Sequence, residues 1–201
     1  MPRKVDHDQR RRHIVESLLR ITGAQGLEAV SLREVAHEAG VSMGAVQHYF
    51  ATKDEMLLYA LQHWLSLSVH DRFAGRVRDR LAGAPAGEPA AMLRAIAAEY
   101  LPHDAAGRAD ALVAVAFLSR AAVAPALAAA LAPAFAGFVR TLGTVFESAG
   151  PAIDAPAEAQ RLAALLDGLR LPVLAGALSH RDALAVVDRH LAQLTTATAH
   201  A

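Results

Sequence analysis

The sequence predicts an all-α protein, and three observations support that fold class. Of the 201 residues, 54% are hydrophobic but only 5% are aromatic, so the core must consist mainly of aliphatic side chains. Alanine, the best helix former, occurs 47 times. No segment alternates β-branched and polar residues between turn signals, as a strand would. We expect about nine helices, in an N-terminal three-helix module (residues 1–52) and a larger helical domain (residues 53–201).

The first three helices have clear boundary signals. Apolar residues recur at helical spacing in the first run, and Gly23 and Gly26 mark its end. Ser31 precedes the next run and has Glu34 three residues later, which is the pattern of a capping box. Ser42 occupies the equivalent place before a third run. The predicted helices are therefore residues 8–25, 32–39 and 43–49.

Longer helices are expected in the rest of the chain. The fourth begins at Lys53 and carries leucines near helical spacing as far as about residue 81. Residues 82–89 are rich in alanine, glycine and proline and have the composition of a loop. Pro133 and Pro172 fall inside two later helices, where each should introduce a kink or move a boundary. These later helices are predicted at about residues 90–101, 106–123, 125–148, 156–176 and 181–196.

Charge and cysteine content limit the possible functions. The formal net charge is zero, but the first 20 residues carry six basic and three acidic side chains, which suits a segment near phosphate. The chain has no cysteine, which excludes disulfides and cysteine-based zinc sites, and we expect no cofactor. The polar N-terminus predicts no signal peptide. We expect a soluble cytoplasmic protein without a membrane span, because charges interrupt the alanine-rich region at Arg120, Arg140, Asp167 and Arg170.

The segment from Val30 to Leu57 describes two short helices joined by a tight turn. Gly40 lies in that turn, where a backbone without a Cβ can adopt a positive φ. The apolar positions that would pack the two helices together are Val35, Ala36, Val41, Val46 and Phe50. A helix as short as the third fits the major groove of DNA, where polar side chains can reach base edges. The residues left exposed on it would be Ser42, Met43, Gly44, Ala45, Gln47, His48 and Tyr49.

This segment resembles the signature of the TetR family of transcriptional regulators. The matching stretches are LREVA at 32–36, AGVS at 39–42, GAVQHYF at 44–50 and KDEML at 53–57, within a resemblance that covers about residues 10–58. The resemblance implies a helix-turn-helix in which Ser31, Tyr49 and Lys53 contact the phosphate backbone. It also implies that a further set of residues faces the groove: Arg33, Met43, Gly44, Ala45, Gln47 and His48.

Three positions depart from the family pattern and leave the base preference open. Position 43 is often basic in relatives, position 45 often Thr or Ser, and position 47 often Tyr; here they are Met43, Ala45 and Gln47. A contact from Gln47 to adenine is the geometric expectation. Lys53 has an independent reason to bind phosphate, because a cation at the start of a helix is unfavourable to the helix dipole and an anion there relieves it.

The resemblance further implies a homodimeric repressor that binds a palindromic double-stranded DNA operator and is released by a small-molecule effector. The last two helices are the expected dimer surface, since Leu162, Leu165, Leu166, Leu169, Val173, Leu184, Val187 and Leu191 recur at packing spacing. Such stripes more often form the core within one chain, although core and interface can use opposite faces of a helix. An apolar effector pocket is expected among the middle helices, and its candidate residues are His63, Trp64, His70, Met92, Tyr100, Phe117 and Phe138. For each of them core packing is the alternative.

Two other kinds of function remain to be weighed. The ten histidines are scattered without an HExxH pattern, and no GxSxG occurs, so an enzyme is not expected and neither is a metal site. A helical protein–protein adaptor, with a helix-turn-helix that binds no DNA, would explain the amphipathic C-terminal helices. An adaptor function would not explain the pattern of residues 30–57.

Overall fold

The computed structural model describes residues 2–67, 72–82, 87–151 and 153–198, with side chains described for 7–66, 72–82, 87–151 and 153–194. This part of the chain contains ten α-helices, a short 3-10 turn (Leu27–Ala29) and no strand, which confirms the all-α class. The helices are α1 (Pro2–Gln25), α2 (Leu32–Glu38), α3 (Met43–Tyr49), α4 (Lys53–Leu67), α5 (Phe73–Leu81), α6 (Pro89–Tyr100), α7 (Ala105–Ala121), α8 (Pro125–Glu147), α9 (Ala155–Leu174) and α10 (His180–Thr198).

The main difference from the predicted helices concerns the fourth. One long helix to about residue 81 was expected; the structure describes it in two parts, α4 (Lys53–Leu67) and α5 (Phe73–Leu81), and residues 68–71 between them lie outside the described residues.

The end of α9 shows why Gly176 is needed. Its φ is +73°, its N–H donates to the Val173 carbonyl, and the Ala177 N–H donates to the Pro172 carbonyl. These two bonds form a Schellman motif, in which the left-handed residue is almost always glycine. Pro172 therefore lies inside α9 and accepts a bond that closes the helix, while Pro133 lies inside α8.

Charged residues were expected to interrupt every long apolar run, and α8 shows that this expectation was wrong. Residues 121–139 contain no charged side chain, and α8 is the one helix in the described ranges that is long and apolar enough to cross a membrane. It meets that criterion by length and composition only, and 11% of its most apolar window is buried.

The helices form two compact units. The first unit comprises Met1–Val69 and Leu112–Ala132, so it combines α1 to α4 with the second half of α7 and the start of α8. Its core is made of fully buried aliphatic and aromatic side chains from these helices, among them Ile14, Leu18, Val35, Val46, Phe50, Leu61 and Phe117. Because α1 packs against both α2 and α4, the first three helices are held on a continuous core.

The second unit comprises His70–Ala111 and Pro133–Ala201, with α5, α6, α9 and α10 as its complete helices. Its core includes Ala97, Leu101, Leu142, Phe146, Leu162, Leu166 and Val187. The boundary between residues 52 and 53 was predicted from expected function and stays a prediction. Packing divides the chain elsewhere, since α4 belongs to the first unit.

Candidate nucleic-acid interface

A tight turn joins α2 to α3 and is fixed by local hydrogen bonds. The Ser31 hydroxyl accepts from the Glu34 N–H at 3.1 Å and caps α2. α2 ends in a Schellman motif at Gly40, whose φ is +64°, and the Val41 N–H donates to the Ala36 carbonyl at 3.0 Å. The next helix then begins at once, because the Ser42 hydroxyl accepts from the Ala45 N–H at 3.1 Å. Each of these features follows from residues within one or two turns of each other.

α3 has one buried face and one exposed face. Val46 within it and Phe50 at its end are fully buried, and they fix the helix on the first core. The predicted groove-facing residues of the same helix are exposed, except that Ala45 is half-buried; the exposed ones are Met43, Gly44, Gln47 and His48. Arg33 and Ser42 are exposed as well, and Tyr49 is half-buried. Their contacts with DNA stay predictions.

Tyr49 belongs to a small aromatic cluster that the sequence did not reveal. Its ring meets the ring of His7 edge-on at 4.8 Å and that of His48 at 5.2 Å. His7 lies on α1, more than forty residues earlier in the chain, and no local pattern joins it to α3. The cluster places the N-terminal part of α1 beside the end of the predicted recognition helix.

Lys53 lies at the first residue of α4, where a phosphate contact was expected. Its ammonium group donates to the Val30 carbonyl oxygen at 2.6 Å, although the residue as a whole is exposed. An ammonium group has three N–H donors, so two remain for an anion. The side chain therefore joins the segment before α2 to the start of α4.

The first turn of α4 carries a reciprocal cap that sequence reasoning missed. The Thr52 hydroxyl accepts from the Glu55 N–H at 3.1 Å, and the Glu55 carboxylate accepts from the Ala51 N–H at 2.9 Å. The signal was present, because Thr52 followed three residues later by Glu55 is the spacing of a capping box. The cap fixes the direction of α4 immediately after α3.

Arg11 connects α1 to the same turn. Its guanidinium lies 4.7 Å from the centre of the Phe50 ring and 4.5 Å from that of Tyr59, and it pairs with Glu55 at 3.2 Å. The positive charge of a guanidinium is attracted to the negative electrostatic potential over the face of an aromatic ring. This contact was not predicted, since the partners are about forty residues apart and share no spacing rule.

The face of α1 opposite Arg11 contacts α2. The Arg20 guanidinium donates to the Glu38 carboxylate at 2.8 Å. The Nε2–H of His13 donates to the Ala39 carbonyl at 2.9 Å, at the end of α2. Both contacts fall on the last turn of α2, so α1 fixes the position from which the turn into α3 starts.

The residues predicted for an effector pocket fall in two separate cores. His63, Trp64 and Phe117 belong to the first unit, where Phe117 is fully buried by packing, and their role in an effector pocket stays a prediction. Met92, Tyr100 and Phe138 pack in the second unit. His70 lies outside the described residues. Within the described ranges no group of three or more His, Asp or Glu side chains could hold a metal ion.

Tyr100 and Phe138, two of the candidate pocket residues, lie in contact, and the Tyr100 ring has no open face. Phe138 stacks on it at 4.8 Å, and the Arg170 guanidinium lies 3.9 Å from the ring centre, so the two groups must cover opposite faces. The hydroxyl donates to Asp167 at 2.6 Å. Burial, reinforced by Asp167 and opposed by the charge of Arg170, raises the pKa of this hydroxyl well above its ordinary value.

The predicted dimer residues divide into two sets. The packing of the chain itself buries five of them in the second core, and their part in a dimer stays a prediction: Leu162, Leu166, Leu184, Val187 and Leu191. Core was the alternative interpretation of these stripes. Leu165, Leu169 and Val173 are only partly buried and keep some surface for a partner.

Comparison with known proteins agrees with this arrangement. Residues 14–60 match the family model of bacterial regulatory proteins of the tetR family, and residues 89–196 match that of the BetI-type transcriptional repressor C-terminal domain. The regulator BetI of Burkholderia thailandensis is 32% identical over 171 residues, which are 85% of each chain. PksA of Bacillus subtilis is 39% identical over 79 residues, and the match spans 39% of this chain and 36% of PksA.

Two solved structures extend the likeness to the fold. A transcriptional regulator from Rhodococcus sp. Rha1 has a TM-score of 0.78 at 31% identity, covering 92% of this chain and 96% of that one. The multidrug binding protein EbrR, solved in complex with imidazole, has a TM-score of 0.62 at 27% identity and covers 92% and 94%.

A capped helix-turn-helix followed by a purely helical region defines a DNA-binding transcriptional regulator, which is not a class of enzyme. The chain belongs to the TetR family, and its C-terminal region is of the BetI repressor type.

Proposed function

We propose that this repressor acts as a homodimer on a palindromic operator and leaves it when a small molecule binds. The observation that carries the proposal is α3, whose buried face fixes it on the first core while Met43, Gly44, Gln47 and His48 stay exposed. A two-turn helix with a short polar surface fits the major groove. Gln47 has the amide geometry to bind adenine there.

A dimer is required because one module offers few phosphate contacts. Affinity for DNA comes largely from such contacts, and the candidates here are Ser31, Tyr49 and Lys53. Two copies related by a two-fold axis would double these contacts. They would also place two α3 helices in successive major grooves, about 34–36 Å apart.

α9 offers a surface for that dimer. A stripe of exposed residues runs along it at spacings of three and four: Arg161, Ala164, Gly168, Leu171 and Ala175. Leu171 is 57% exposed, and a Cβ added to Gly168 would meet no atom within 4 Å. Small residues beside an exposed leucine allow two helices to approach closely. The partly buried Leu165, Leu169 and Val173 lie on the same helix and would widen the contact.

Release by a small molecule is supported by relatives. EbrR is named as a multidrug binding protein and was solved with imidazole. The aliphatic core of this chain suggests an effector with apolar surface. A repressor acts where its operator is, so we place the protein in the cytoplasm.

The test is a fluorescence-anisotropy titration of labelled duplexes from the gene's own upstream region, against random duplexes of equal length, at two salt concentrations. A specific dimer should prefer the upstream duplex and weaken steeply with salt, because binding releases counterions. Gln47→Ala should reduce that preference, and Gln62→Ala, an exposed glutamine on α4, should leave it unchanged. Failure to bind any duplex, including those selected from a random pool, would favour the adaptor.

A further inference from the structure

One face of α1 contacts the end of α3 on two successive helical turns. Arg11 lies against the rings of Phe50 and Tyr59. One turn earlier, the centre of the His7 ring is 4.8 Å from that of Tyr49. Residues four apart in an α-helix lie on the same face. The face that Arg11 fixes on the first core therefore continues to His7, whose side chain is exposed.

The rings of His7, His48 and Tyr49 form a triangle at this exposed end. The centre of the His7 ring is 6.4 Å from that of His48, and the two rings meet edge-on. Tyr49 is a candidate for a phosphate contact and His48 is a candidate for the groove. A DNA strand in contact with both side chains therefore also lies close to the His7 imidazole.

The charges around His7 favour an anionic partner. Arg10 and Arg11 lie three and four residues further along the helix, on the same side as His7. Arg11 already has an ion pair, whereas Arg10 is exposed and has none among the side chains that the structure describes. Asp6 and Asp8 are the adjacent residues, and adjacent positions of a helix do not face each other. α3 contains no acidic residue, so it offers no carboxylate to the imidazole.

We infer that His7 is a further contact to the DNA backbone and that it binds phosphate in its protonated form. An imidazole gains its charge between pH 8 and 5, and both nitrogens of the charged ring are donors. A phosphate beside the ring favours the charged form, so DNA binding takes up a proton in each subunit. Affinity for the operator therefore rises as the pH falls from 8 to 6. This inference rests on the proposed function and adds pH dependence to it.

The experiment compares the natural sequence with His7→Phe and His7→Arg in anisotropy titrations of the operator duplex at pH 6.0 and pH 8.0. His7→Phe keeps a ring against Tyr49 and removes the charge. It should bind roughly tenfold more weakly than the natural sequence at pH 6.0, or about threefold for each exposed ion pair lost from the dimer. At pH 8.0 the two should bind alike. His7→Arg is charged at both pH values and should keep its high affinity at pH 8.0.

The salt dependence separates a phosphate contact from a structural role. One phosphate contact in each subunit should make the salt slope of the natural sequence about two units steeper than that of His7→Phe at pH 6.0, with no difference at pH 8.0. Lys53→Met is the control, because a lysine is charged at both pH values and its loss should act equally at both.

Three results would contradict the inference. His7→Phe could match the natural sequence in affinity and salt slope at pH 6.0, or it could weaken binding equally at both pH values, as loss of a packing contact does. Thermal melts at both pH values show whether the variants are folded, and if His7→Phe is not, His7→Arg decides. A fall in its affinity from pH 6.0 to 8.0 as large as that of the natural sequence is the third contradicting result.

The same titrations distinguish this inference from the proposed function. Specific binding whose pH dependence is the same in the natural sequence and in His7→Phe would leave the repressor in place and remove only the role of His7. Failure of the natural sequence to bind any duplex at either pH, including duplexes selected from a random pool, would overturn both.

Discussion

Arg11 of α1 and Glu55 of α4 form an ion pair with 3.2 Å between Nη2 and Oε1, although 44 residues separate them. The same guanidinium lies against the rings of Phe50 and Tyr59, and the same carboxylate caps the backbone at Ala51. The pair thus fixes the direction in which the chain leaves α3.

We expect Arg11→Met to lower the free energy of unfolding by about 1–2 kcal/mol, since it removes a partly buried cation–π contact and an ion pair. Arg12→Met is the matched control, because Arg12 is exposed. Urea unfolding followed by circular dichroism measures both. Equal loss in the two variants would show that the Arg11 contacts do not stabilise the unit.

Gly40→Ala and Gly44→Ala should have different effects. Gly40 has a φ of +64°, so a Cβ there costs about 1–2 kcal/mol. Gly44 is helical and its added Cβ would meet only the Ser42 oxygen at 3.9 Å, so alanine should leave stability unchanged or raise it by up to about 1 kcal/mol. Thermal denaturation of both variants provides the comparison, and a destabilised Gly44→Ala would contradict it.

Tyr100→Phe should lower stability by about 1–2 kcal/mol at neutral pH, because Asp167 loses a hydrogen bond in a partly buried site. Tyr59→Phe is the control, since the Tyr59 hydroxyl has no hydrogen bond among the side chains described. Urea unfolding at pH 7 distinguishes the two. A loss no larger for Tyr100 than for Tyr59 would mean that the bond to Asp167 contributes nothing.

The stability of the natural sequence should also fall at alkaline pH. Burial raises the pKa of Tyr100 above its ordinary value of 10.0, so the unfolded chain releases this proton first. The stabilisation is present below pH 10 and is lost as the pH rises above it. Unfolding curves between pH 8 and 11 should therefore decline more steeply for the natural sequence than for Tyr100→Phe. Parallel curves would count against the raised pKa.

Lys53→Met should weaken binding to all duplexes to a similar extent and lower the salt slope by about two units, because the dimer loses one phosphate contact in each subunit. Arg78→Met, an exposed cation of the second unit, is the control. Anisotropy titrations at several salt concentrations give the slope. An unchanged slope would mean that Lys53 serves only to bind the Val30 carbonyl.

Leu171→Glu should raise the dissociation constant of the proposed dimer at least tenfold, because it puts two like charges near a two-fold axis. Leu118→Glu is the matched control, because the two leucines are similarly exposed: 51% for Leu118 on α7 and 57% for Leu171 on α9. Sedimentation equilibrium measures the dissociation constant. A stronger effect from Leu118 would move the proposed interface to α7.

Sequence patterns predicted local structure correctly where the interacting residues are close together in the chain. Ser31, Gly40 and Ser42 each act on the backbone within a few residues, and their caps and turn occur as predicted. The stripe containing Leu162 was read correctly as a packing face, but periodicity does not say what covers the face. The Tyr100–Asp167 contact joins residues 67 apart, and no local rule brings them together.

The two-turn length of α3 has a consequence for recognition. Isolated helices of seven residues do not form in water, because nucleation costs more than so few hydrogen bonds return. Val46 and Phe50 supply the missing stability by packing in the core. The conformational entropy of the groove-facing residues of α3 is therefore lost during folding and not during DNA binding. Core substitutions that loosen α3 should therefore reduce operator affinity even though the residues they change never approach a base.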